Sequence, residues 1–247
     1  MSGFRAYYEF SASDGNSIEL SADESRHLCG SLRAAAGDGV DVFDLKGDIY
    51  RGVIVSASPK RAVVQIREKI PPEKRAADIY LLQCLPKGKT FDDIVRRCVE
   101  LGAAGVYPLT SRFCQVKIEP SEAEKKREKW LAQVVEAVKQ SSNFSGFEVF
   151  APRPFSDMFA ALPSFDLKLV ASLEADAQTI SGAFKTLSSA PKSVAVLIGP
   201  EGDMSAEEYA RAKSAGFVPI TLGRNVLKSD TAAVSAISRV QAALEFI

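Results

Sequence analysis

The chain has 247 residues, of which 46% are hydrophobic and 25% charged, a composition typical of a globular protein with one large domain or two smaller ones. Acidic and basic side chains balance to a net charge of zero and are spread evenly, which excludes a strongly basic nucleic-acid binder, so any RNA contact must be a local patch. A single histidine excludes a His-rich metal site and disfavours a His-based triad, so we expect no metal.

The N-terminus carries Arg5 and Glu9 within its first ten residues and has no apolar run typical of a secretory signal. No apolar stretch elsewhere reaches the length of about 18 residues that crosses a bilayer. We therefore expect a cytoplasmic protein with no membrane partner. Its four cysteines are predicted to be small buried apolar side chains in a reducing compartment.

The first 70 residues have the pattern of a small all-β domain. Predicted strands over 40–45 and 49–55 flank a glycine-centred turn at Gly47, and a third alternating run covers 62–66. One helix is predicted over about 22–33. Several short strands with tight turns in so short a span predict a small β-barrel.

Residues 71–75 contain two prolines and three charged side chains and are predicted to form a linker. This linker sets the predicted domains at 1–71 and 72–247. After it, apolar strands alternate with amphipathic helices, which predicts a parallel α/β sheet. The predicted strands are 79–85, 106–109, 147–150, 167–173, 194–198 and 218–222.

Helix ends in this second domain carry recognisable capping residues. Thr90 is predicted to cap the helix after the first of these strands, with Asp93 completing a capping box, and Gly102 to end that helix. Ser205 and Glu208 predict a second capping box. These signals support the alternation of strands and helices.

Two glycine-bearing turns, 199–203 and 222–232, follow the last two predicted strands and lead into helices. In an open α/β sheet such turns lie at the carboxyl ends of the strands, where ligands bind. Glycine lets a ligand approach backbone N–H and C=O groups closely, because no Cβ intervenes. We expect the two turns, one strand apart, to form opposite walls of one pocket.

The basic turn at Lys87 and Lys89 is not a phosphate-binding P-loop, because Gln83 stands where that motif needs a glycine. The two lysines precede a predicted helix, which makes them candidates for contacts with an RNA phosphate. A solvated turn is the alternative interpretation.

The charged residues of the second glycine turn also have a simpler interpretation. Asp230 and Thr231 could only cap the last helix, a role that both side chains perform well. Lys228 could form a surface ion pair with Asp230, which would contribute little to stability.

Three groups of residues, in order along the chain, together resemble one known family. They are His27-Leu28, Leu32-Arg33, Gly37-Asp38 and Phe43-Asp44; Lys87-Gly88-Lys89, Glu100-Leu101-Gly102, Pro108-Leu109 and Arg112; and Ile198-Gly199-Pro200-Glu201-Gly202-Asp203 with Leu222-Gly223-Arg224-Asn225-Val226-Leu227-Lys228-Ser229-Asp230-Thr231-Ala232. The chain resembles the RsmE-type rRNA methyltransferases of the SPOUT superfamily over its whole length.

The resemblance implies a small N-terminal PUA-like β-barrel that binds RNA, followed by a SPOUT α/β domain with a parallel sheet and a trefoil knot. It implies a homodimer that uses S-adenosylmethionine to methylate N3 of one uridine in small-subunit rRNA, alone or in the assembled 30S subunit. The residues implied in cofactor binding are Leu173, Gly199, Pro200, Glu201, Gly202, Leu222, Gly223, Val226 and Leu227.

The resemblance and the chemistry of uracil together suggest catalytic residues. A cation, Lys228 or Arg112, would stabilise the developing uracil anion, and a carboxylate, Asp230 or Glu201, would receive the N3 proton. The predicted catalytic set is Lys228, Asp230 and Glu201. The predicted RNA contacts are Arg5, Arg33, Lys87, Lys89 and Arg112.

The chain departs from the family pattern at three places. Lys228 and Asp230 stand where the family usually has arginine and glutamate, and the segment 139–143 lacks the arginine that the family often carries there. Lysine keeps the charge but not the forked geometry of arginine. Two alternatives therefore stay open: a methyltransferase of another RNA such as tRNA, and a ribosome-binding factor of the same fold without catalysis.

Overall fold

The computed structural model describes residues 3–10, 15–71 and 74–245 and divides into two compact units. The first unit comprises Met1–Lys74 and Val138–Phe147, and the second comprises Arg75–Ala137 and Glu148–Ile247. The sequence pattern has no sign of the second segment of the first unit. Two residues of the predicted linker, Pro72 and Glu73, lie outside the described residues.

The first unit is built on a five-stranded sheet, as the pattern of short strands predicts. Its strands are β1 (Phe4–Tyr7), β2 (Ser17–Glu19), β3 (Gly39–Phe43), β4 (Ile49–Ser56) and β5 (Val63–Ile70). They lie in the order β1-β3-β4-β5-β2, with β1 parallel to β3 and the other pairs antiparallel. Side chains from both ends of this order form one apolar core, among them Ala6, Ile18, Leu28, Val40, Val42, Ile54 and Val64.

Local geometry in this unit confirms the hairpin and changes the helix. Gly47, in the turn between β3 and β4, has a φ of 105°, a conformation that favours glycine. The predicted helix over 22–33 is α-helical only as α1 (Ala22–Ser25) and continues as a π-helical segment, Arg26–Ser31. Arg33 then adopts a φ of 58°, which ends the helical path.

A buried ion pair ties the segment Val138–Phe147 into the first unit. The Nζ of Lys139 lies 2.6 Å from Oε1 of Glu24, and only about a tenth of either side chain is exposed. The other oxygen of Glu24 accepts the backbone N–H of Tyr7 at 3.0 Å, and the guanidinium of Arg5 donates to the carbonyl of Lys139. Removing either Lys139 or Glu24 alone would leave a buried unpaired charge, which is strongly destabilising.

The second unit holds seven strands and six helices among its described residues. The strands are β6 (Asp78–Cys84), β7 (Gly105–Thr110), β8 (Glu148–Val149), β9 (Arg153–Pro154), β10 (Leu167–Ala171), β11 (Ser193–Ile198) and β12 (Val218–Ile220). The helices are α2 (Thr90–Glu100), α3 (Ala123–Ser141), α4 (Phe155–Ala161), α5 (Ile180–Lys185), α6 (Ala206–Ser214) and α7 (Ser229–Leu244). A 3-10 turn, Pro120–Glu122, precedes α3, whose last residues belong to the first unit.

The sheet of the second unit is entirely parallel, with the order β12-β10-β11-β6-β7-β8 and with β9 also paired to β7. Its central strands are buried on both faces, which explains their near-continuous apolar sequences. Because all strands point the same way, the chain leaves each of them at the same edge of the sheet. The prediction of a parallel α/β sheet is confirmed, and β10 lies between β11 and β12. The trefoil knot stays a prediction.

Of the three predicted helix ends at α2 and α6, two are confirmed and one is wrong. The capping box of Ser205 and Glu208 is present at α6, and the backbone N–H groups of Gly102 and Ala103 bond back to carbonyls of α2. Thr90 does not cap α2: the helix begins at Thr90 itself, and its N-cap residue, Lys89, makes no side-chain capping bond to the described residues. Asp93 instead lies 3.0 Å from the guanidinium of Arg96.

The last helix, α7, begins one residue earlier than its predicted cap. Its N-cap position is Lys228, which makes no side-chain capping bond, so Asp230 and Thr231 lie in the first turn. The interpretation of these two residues as N-caps is wrong. Of the four cysteines, three are buried as expected, whereas Cys29 is half-buried.

Candidate active site

Three loops at the carboxyl edge of the sheet enclose a cavity of about 290 Å³. They follow β10, β11 and β12. The lining begins at the last residue of β10 and of β11, and two residues after the end of β12. The two glycine turns therefore line one cavity, as predicted, and the loop after β10 adds a third side. The lining residues are Ala171, Ser172, Leu173, Ile198, Gly199, Pro200, Glu201, Asp203, Tyr209, Leu222, Gly223, Asn225, Val226, Leu227, Lys228, Ser229 and Ala232.

Backbone and apolar groups make up most of this lining. Gly223 has a φ of 122°, which side chains rarely allow, and a Cβ at Gly199 would lie only 3.3 Å from the side chain of Met204. Leu173 and Val226, which also line the cavity, are 63% and 77% exposed. The cavity therefore offers main-chain atoms and apolar surface to a ligand.

A buried polar network holds the first turn of α7 against the loop after β11. The hydroxyl of Ser229 donates to the carbonyl of Gly199 at 3.1 Å and accepts the side-chain N–H of Gln83 at 2.8 Å. Gln83 is fully buried at the end of β6, and its amide oxygen has no hydrogen-bond partner among the described residues. Sequence reasoning noted Gln83 only as a missing glycine and did not find Ser229.

A second network joins the loops after β10 and β11. The hydroxyl of Tyr209 donates to a carboxylate oxygen of Asp203 at 2.7 Å and also lies 3.2 Å from the carbonyl of Ala171. Burial, followed by the hydrogen bond and negative charge of Asp203, raises the pKa of Tyr209 well above its usual value. The phenol therefore stays protonated. Sequence reasoning missed Tyr209, although it lies four residues after the capping residue Ser205.

Two of the three predicted catalytic residues lie in the cavity wall. Lys228 is exposed there and forms no ion pair within the described ranges. Glu201 also lines the cavity, and its carboxylate accepts the backbone N–H of Lys87 at 3.0 Å. Asp230 lies outside the lining and is 3.3 Å from the guanidinium of Arg97, so its predicted surface pair with Lys228 is wrong.

One predicted cofactor residue, Gly202, also lies outside the lining. A Cβ at this position would lie 3.2 Å from the Cβ of Phe113, so the absent side chain makes room for that residue. The other eight predicted cofactor residues all line the cavity. Gly202 therefore supports a neighbouring loop, while Glu201 before it and Asp203 after it line the cavity.

The predicted RNA contacts fall into both units. Lys87 and Lys89 are exposed in the turn before α2, and Arg112 is exposed outside the cavity lining, 3.1 Å from a carboxylate oxygen of Glu207. In the first unit, Arg33 is exposed. Arg5 is half-buried and already hydrogen-bonded within its own unit, which leaves it the least available of the five.

Among the described residues there is neither a candidate metal site nor a helix that could span a membrane. Within 3–10, 15–71 and 74–245, no cluster of three or more His, Cys, Asp or Glu side chains could hold a metal ion. In the same ranges, no helix combines the length and apolar character that crossing a membrane requires.

Comparison with known families agrees with both units. A family model described as an RNA methyltransferase domain matches residues 72–241, and one described as an RNA methyltransferase PUA domain matches residues 20–67. The first match covers more than half of the chain. The chain therefore belongs to the RNA methyltransferases of this two-domain family.

Its relatives include proteins named ribosomal RNA small subunit methyltransferase E. The one from Synechocystis is 28% identical over 229 residues, which are 92% of this chain and 74% of the relative. The one from Aquifex aeolicus is 32% identical over 177 residues, which are 71% of this chain and 72% of the relative. The resemblance to the RsmE-type family is thus confirmed.

Solved structures agree with the fold. A methyltransferase from Legionella pneumophila, solved with bound S-adenosylmethionine, is 29% identical with a TM-score of 0.86 and 97% of each chain covered. Ribosomal RNA small subunit methyltransferase E from Neisseria gonorrhoeae, also bound to S-adenosylmethionine, is 25% identical with a TM-score of 0.84 and 96% of each chain covered. The predicted fold class, a parallel α/β domain after a small PUA-like β domain, is confirmed.

Proposed function

We propose that this protein uses S-adenosylmethionine to methylate N3 of a specific uridine in small-subunit rRNA, and that it acts as a homodimer on the RNA or the assembled 30S subunit. The observation that carries the proposal is the cavity of about 290 Å³ at the carboxyl edge of the sheet, lined by bare backbone, apolar side chains and one lysine without an ion pair among the described residues. The relatives with bound S-adenosylmethionine support the choice of cofactor.

The residues present fit such a cofactor. Gly199 and Gly223 lie in the wall without side chains, which leaves their backbone groups open to a nucleoside. Leu173, Val226 and Leu227 offer apolar surface for an adenine ring. Pro200, Glu201 and Leu222 complete the proposed set of contacts, and Gly202 acts by holding the loop of Phe113. S-adenosylmethionine supplies an electrophilic methyl group when it is bound.

The charged residues of the wall suit the uracil chemistry. Uracil N3 carries a proton and is a poor nucleophile until that proton leaves. We assign to Lys228 the stabilisation of the developing anion, because it lines the cavity and forms no ion pair within the described chain. Arg112, the other candidate cation, lies outside the lining and pairs with Glu207.

The same geometry ranks the two candidate proton acceptors. Glu201 lies in the cavity wall, where the backbone N–H of Lys87 holds one of its oxygens and leaves the other available. Asp230 lies outside the lining and is engaged by Arg97. We therefore propose Glu201 as the general base and Asp230 as a residue that positions the first turn of α7.

Exposed cations near the cavity and on the PUA-like unit are the proposed contacts to the RNA backbone. Lys87 and Lys89 are exposed in the turn that Glu201 holds, and Arg33 is exposed on the first unit. Such contacts fix the position of the RNA without reading its sequence. A family PUA domain match over residues 20–67 supports a role of the first unit in RNA binding.

The direct test is methylation of rRNA from a strain that lacks this gene. We expect the purified protein and S-adenosylmethionine to restore one methyl group, located by mass spectrometry on N3 of a uridine in small-subunit rRNA. A methyl group on tRNA instead would favour a methyltransferase of another RNA. Failure of the protein to bind S-adenosylmethionine in calorimetry would favour a ribosome-binding factor without catalysis.

A further inference from the structure

Phe113 is an exposed aromatic side chain beside the cavity that the proposed reaction does not use. It is 47% exposed and is the single aromatic among the large apolar side chains that are exposed in the described part of the chain. It follows β7 in a tight turn, in which the N–H of Cys114 donates to the carbonyl of Ser111 at 3.1 Å. The exposed ring offers an aromatic face on which a flat partner could stack.

Backbone contacts on both sides hold the loop that carries this ring. The N–H of Arg112 donates to the buried carboxylate of Glu208 at 2.8 Å, and the other oxygen of that carboxylate belongs to the capping box of α6. On the other side, the missing side chain of Gly202 allows Phe113 to pack against its backbone. The ring is therefore presented on a fixed loop, which reduces the entropy lost when a partner binds.

Phe113 adjoins the cavity and carries a guanidinium over its ring, that of Arg112, which also pairs with Glu207. Gly202 lies between Glu201 and Asp203, both in the cavity wall, so the ring is next to that wall without being part of it. The guanidinium of Arg112 lies over the ring, 5.6 Å from its centre, and the exposed turn of Lys87 is hydrogen-bonded to Glu201. An exposed aromatic ring with a guanidinium beside it suits stacking with a nucleic-acid base.

We propose that Phe113 is a stacking site for an unpaired base of the substrate RNA, namely a base that adjoins the nucleotide entering the cavity. The proposal rests on the proposed function, because it needs an RNA substrate at this edge of the sheet. The position of the ring outside the lining assigns it to a neighbouring base rather than to the methylated one. The exposed lysines of the turn that Glu201 holds, Lys87 and Lys89, favour RNA over an apolar protein surface.

The test compares two substitutions at this position. Phe113→Leu keeps an apolar side chain but loses the aromatic face, and stacking on aromatic rings contributes about 1–3 kcal/mol per base, so we expect KM for small-subunit rRNA to rise about 5- to 150-fold. Calorimetric affinity for S-adenosylmethionine should stay at the wild-type value. Phe113→Trp keeps a stacking face, so we expect a KM near that of the wild type.

The tryptophan variant adds a direct signal of stacking. The chain has one native tryptophan, Trp130, which is 4% exposed and packs edge-on against Phe91. We expect the fluorescence of Phe113→Trp to be quenched when rRNA saturates the protein, beyond the small change of the wild type. This measurement does not depend on the folding of the leucine variant.

Phe159→Leu is the matched control, because a guanidinium, that of Arg211, also lies over the Phe159 ring at 5.8 Å, but the ring packs against Phe155 and Phe217. We expect its KM for rRNA to match the wild type. An unchanged KM in Phe113→Leu, an equal rise in both leucine variants, or unquenched Phe113→Trp fluorescence would overturn the stacking site while leaving the methyltransferase intact. A wild-type protein that does not methylate rRNA would overturn both proposals.

Discussion

The floor of the cavity and its mouth are built in opposite ways. The floor, defined here as the lining residues Ser229, Asp203 and Tyr209 together with the buried Gln83 that bonds Ser229, consists of polar groups that bond to one another or to backbone carbonyls. The mouth, defined as Leu173, Glu201, Val226 and Lys228, consists of exposed side chains with few partners.

The difference separates stability from chemistry. The hydrogen bonds of the floor residues hold three loops together. Replacing a floor residue should therefore lower the free energy of unfolding and weaken cofactor binding. The mouth residues are exposed and can contact a substrate. Replacing one of them should therefore lower the rate of methyl transfer and leave the free energy of unfolding unchanged. Four substitutions test this division.

The largest effect is expected at the proposed general base. Glu201→Gln removes the proton acceptor from the cavity wall, and we expect the single-turnover rate of methyl transfer to fall about 10²- to 10⁴-fold. Asp230→Asn is the control, because Asp230 lies outside the lining and pairs with Arg97. A larger rate loss in Asp230→Asn than in Glu201→Gln would transfer the role of base to Asp230.

A somewhat smaller loss is expected at the cation of the mouth. Lys228→Ala removes the charge proposed to stabilise the uracil anion, and we expect the single-turnover rate to fall about 10²- to 10³-fold. Lys228→Arg keeps the charge and should retain most of the activity. Because Lys228 is exposed and forms no ion pair in the described ranges, thermal denaturation of both variants should match the wild type. A full rate in Lys228→Ala would remove this residue from the mechanism.

In the floor, the effect should shift from rate to stability. Ser229→Ala deletes the bond to the carbonyl of Gly199 and leaves the buried N–H of Gln83 without its acceptor in α7. We expect the free energy of unfolding, measured with urea, to fall by about 1–3 kcal/mol and the affinity for S-adenosylmethionine to weaken. Ser214→Ala, at an exposed serine of α6, is the control. Equal stability of the two variants would show that the network does not brace the floor.

The smallest effect concerns Tyr209 and appears as a dependence on pH. Because its pKa is raised on folding, the unfolded chain releases the Tyr209 proton first as the pH rises past about 10, and the free energy of unfolding falls there. Below about pH 10 this contribution is fully present. Tyr209→Phe should lose about 0.5–1.5 kcal/mol at neutral pH and show a shallower alkaline fall. If the free energy of unfolding fell equally steeply above about pH 10 in the wild type and in Tyr209→Phe, the raised pKa of Tyr209 would be contradicted.

Prediction from sequence succeeded where the signal was local. Because β6 and β11 are buried on both faces, their near-continuous apolar sequences indicate strands of a parallel sheet. The capping box of α6 needs only two residues three positions apart. Prediction failed at α2 and α7, where the helix starts at Thr90 and Ser229 without a side-chain cap. Cap preferences of single residues are too weak to override the geometry of a loop that is held from elsewhere.

The same limit applies to the site. The glycine turns after β11 and β12 predicted the cavity, because glycine at strand ends is a local feature. Gln83 and Ser229 are 146 residues apart, and Arg97 and Asp230 are 133 apart, so no periodicity connects them. The position of Phe113 is equally hidden from the sequence, because the ring packs against Gly202 in a loop 89 residues away.

The sequence by itself determined which segments become strands and helices, the two kinds of domain and the family, because hydrophobic periodicity and short motifs act over a few residues. Only the tertiary structure decided that Lys228 and Glu201 face the cavity while Asp230 turns to Arg97, and that Lys139 belongs to the first unit. These outcomes depend on which distant group is close enough to satisfy a charge or a buried N–H, and that distance exists only after the chain has folded.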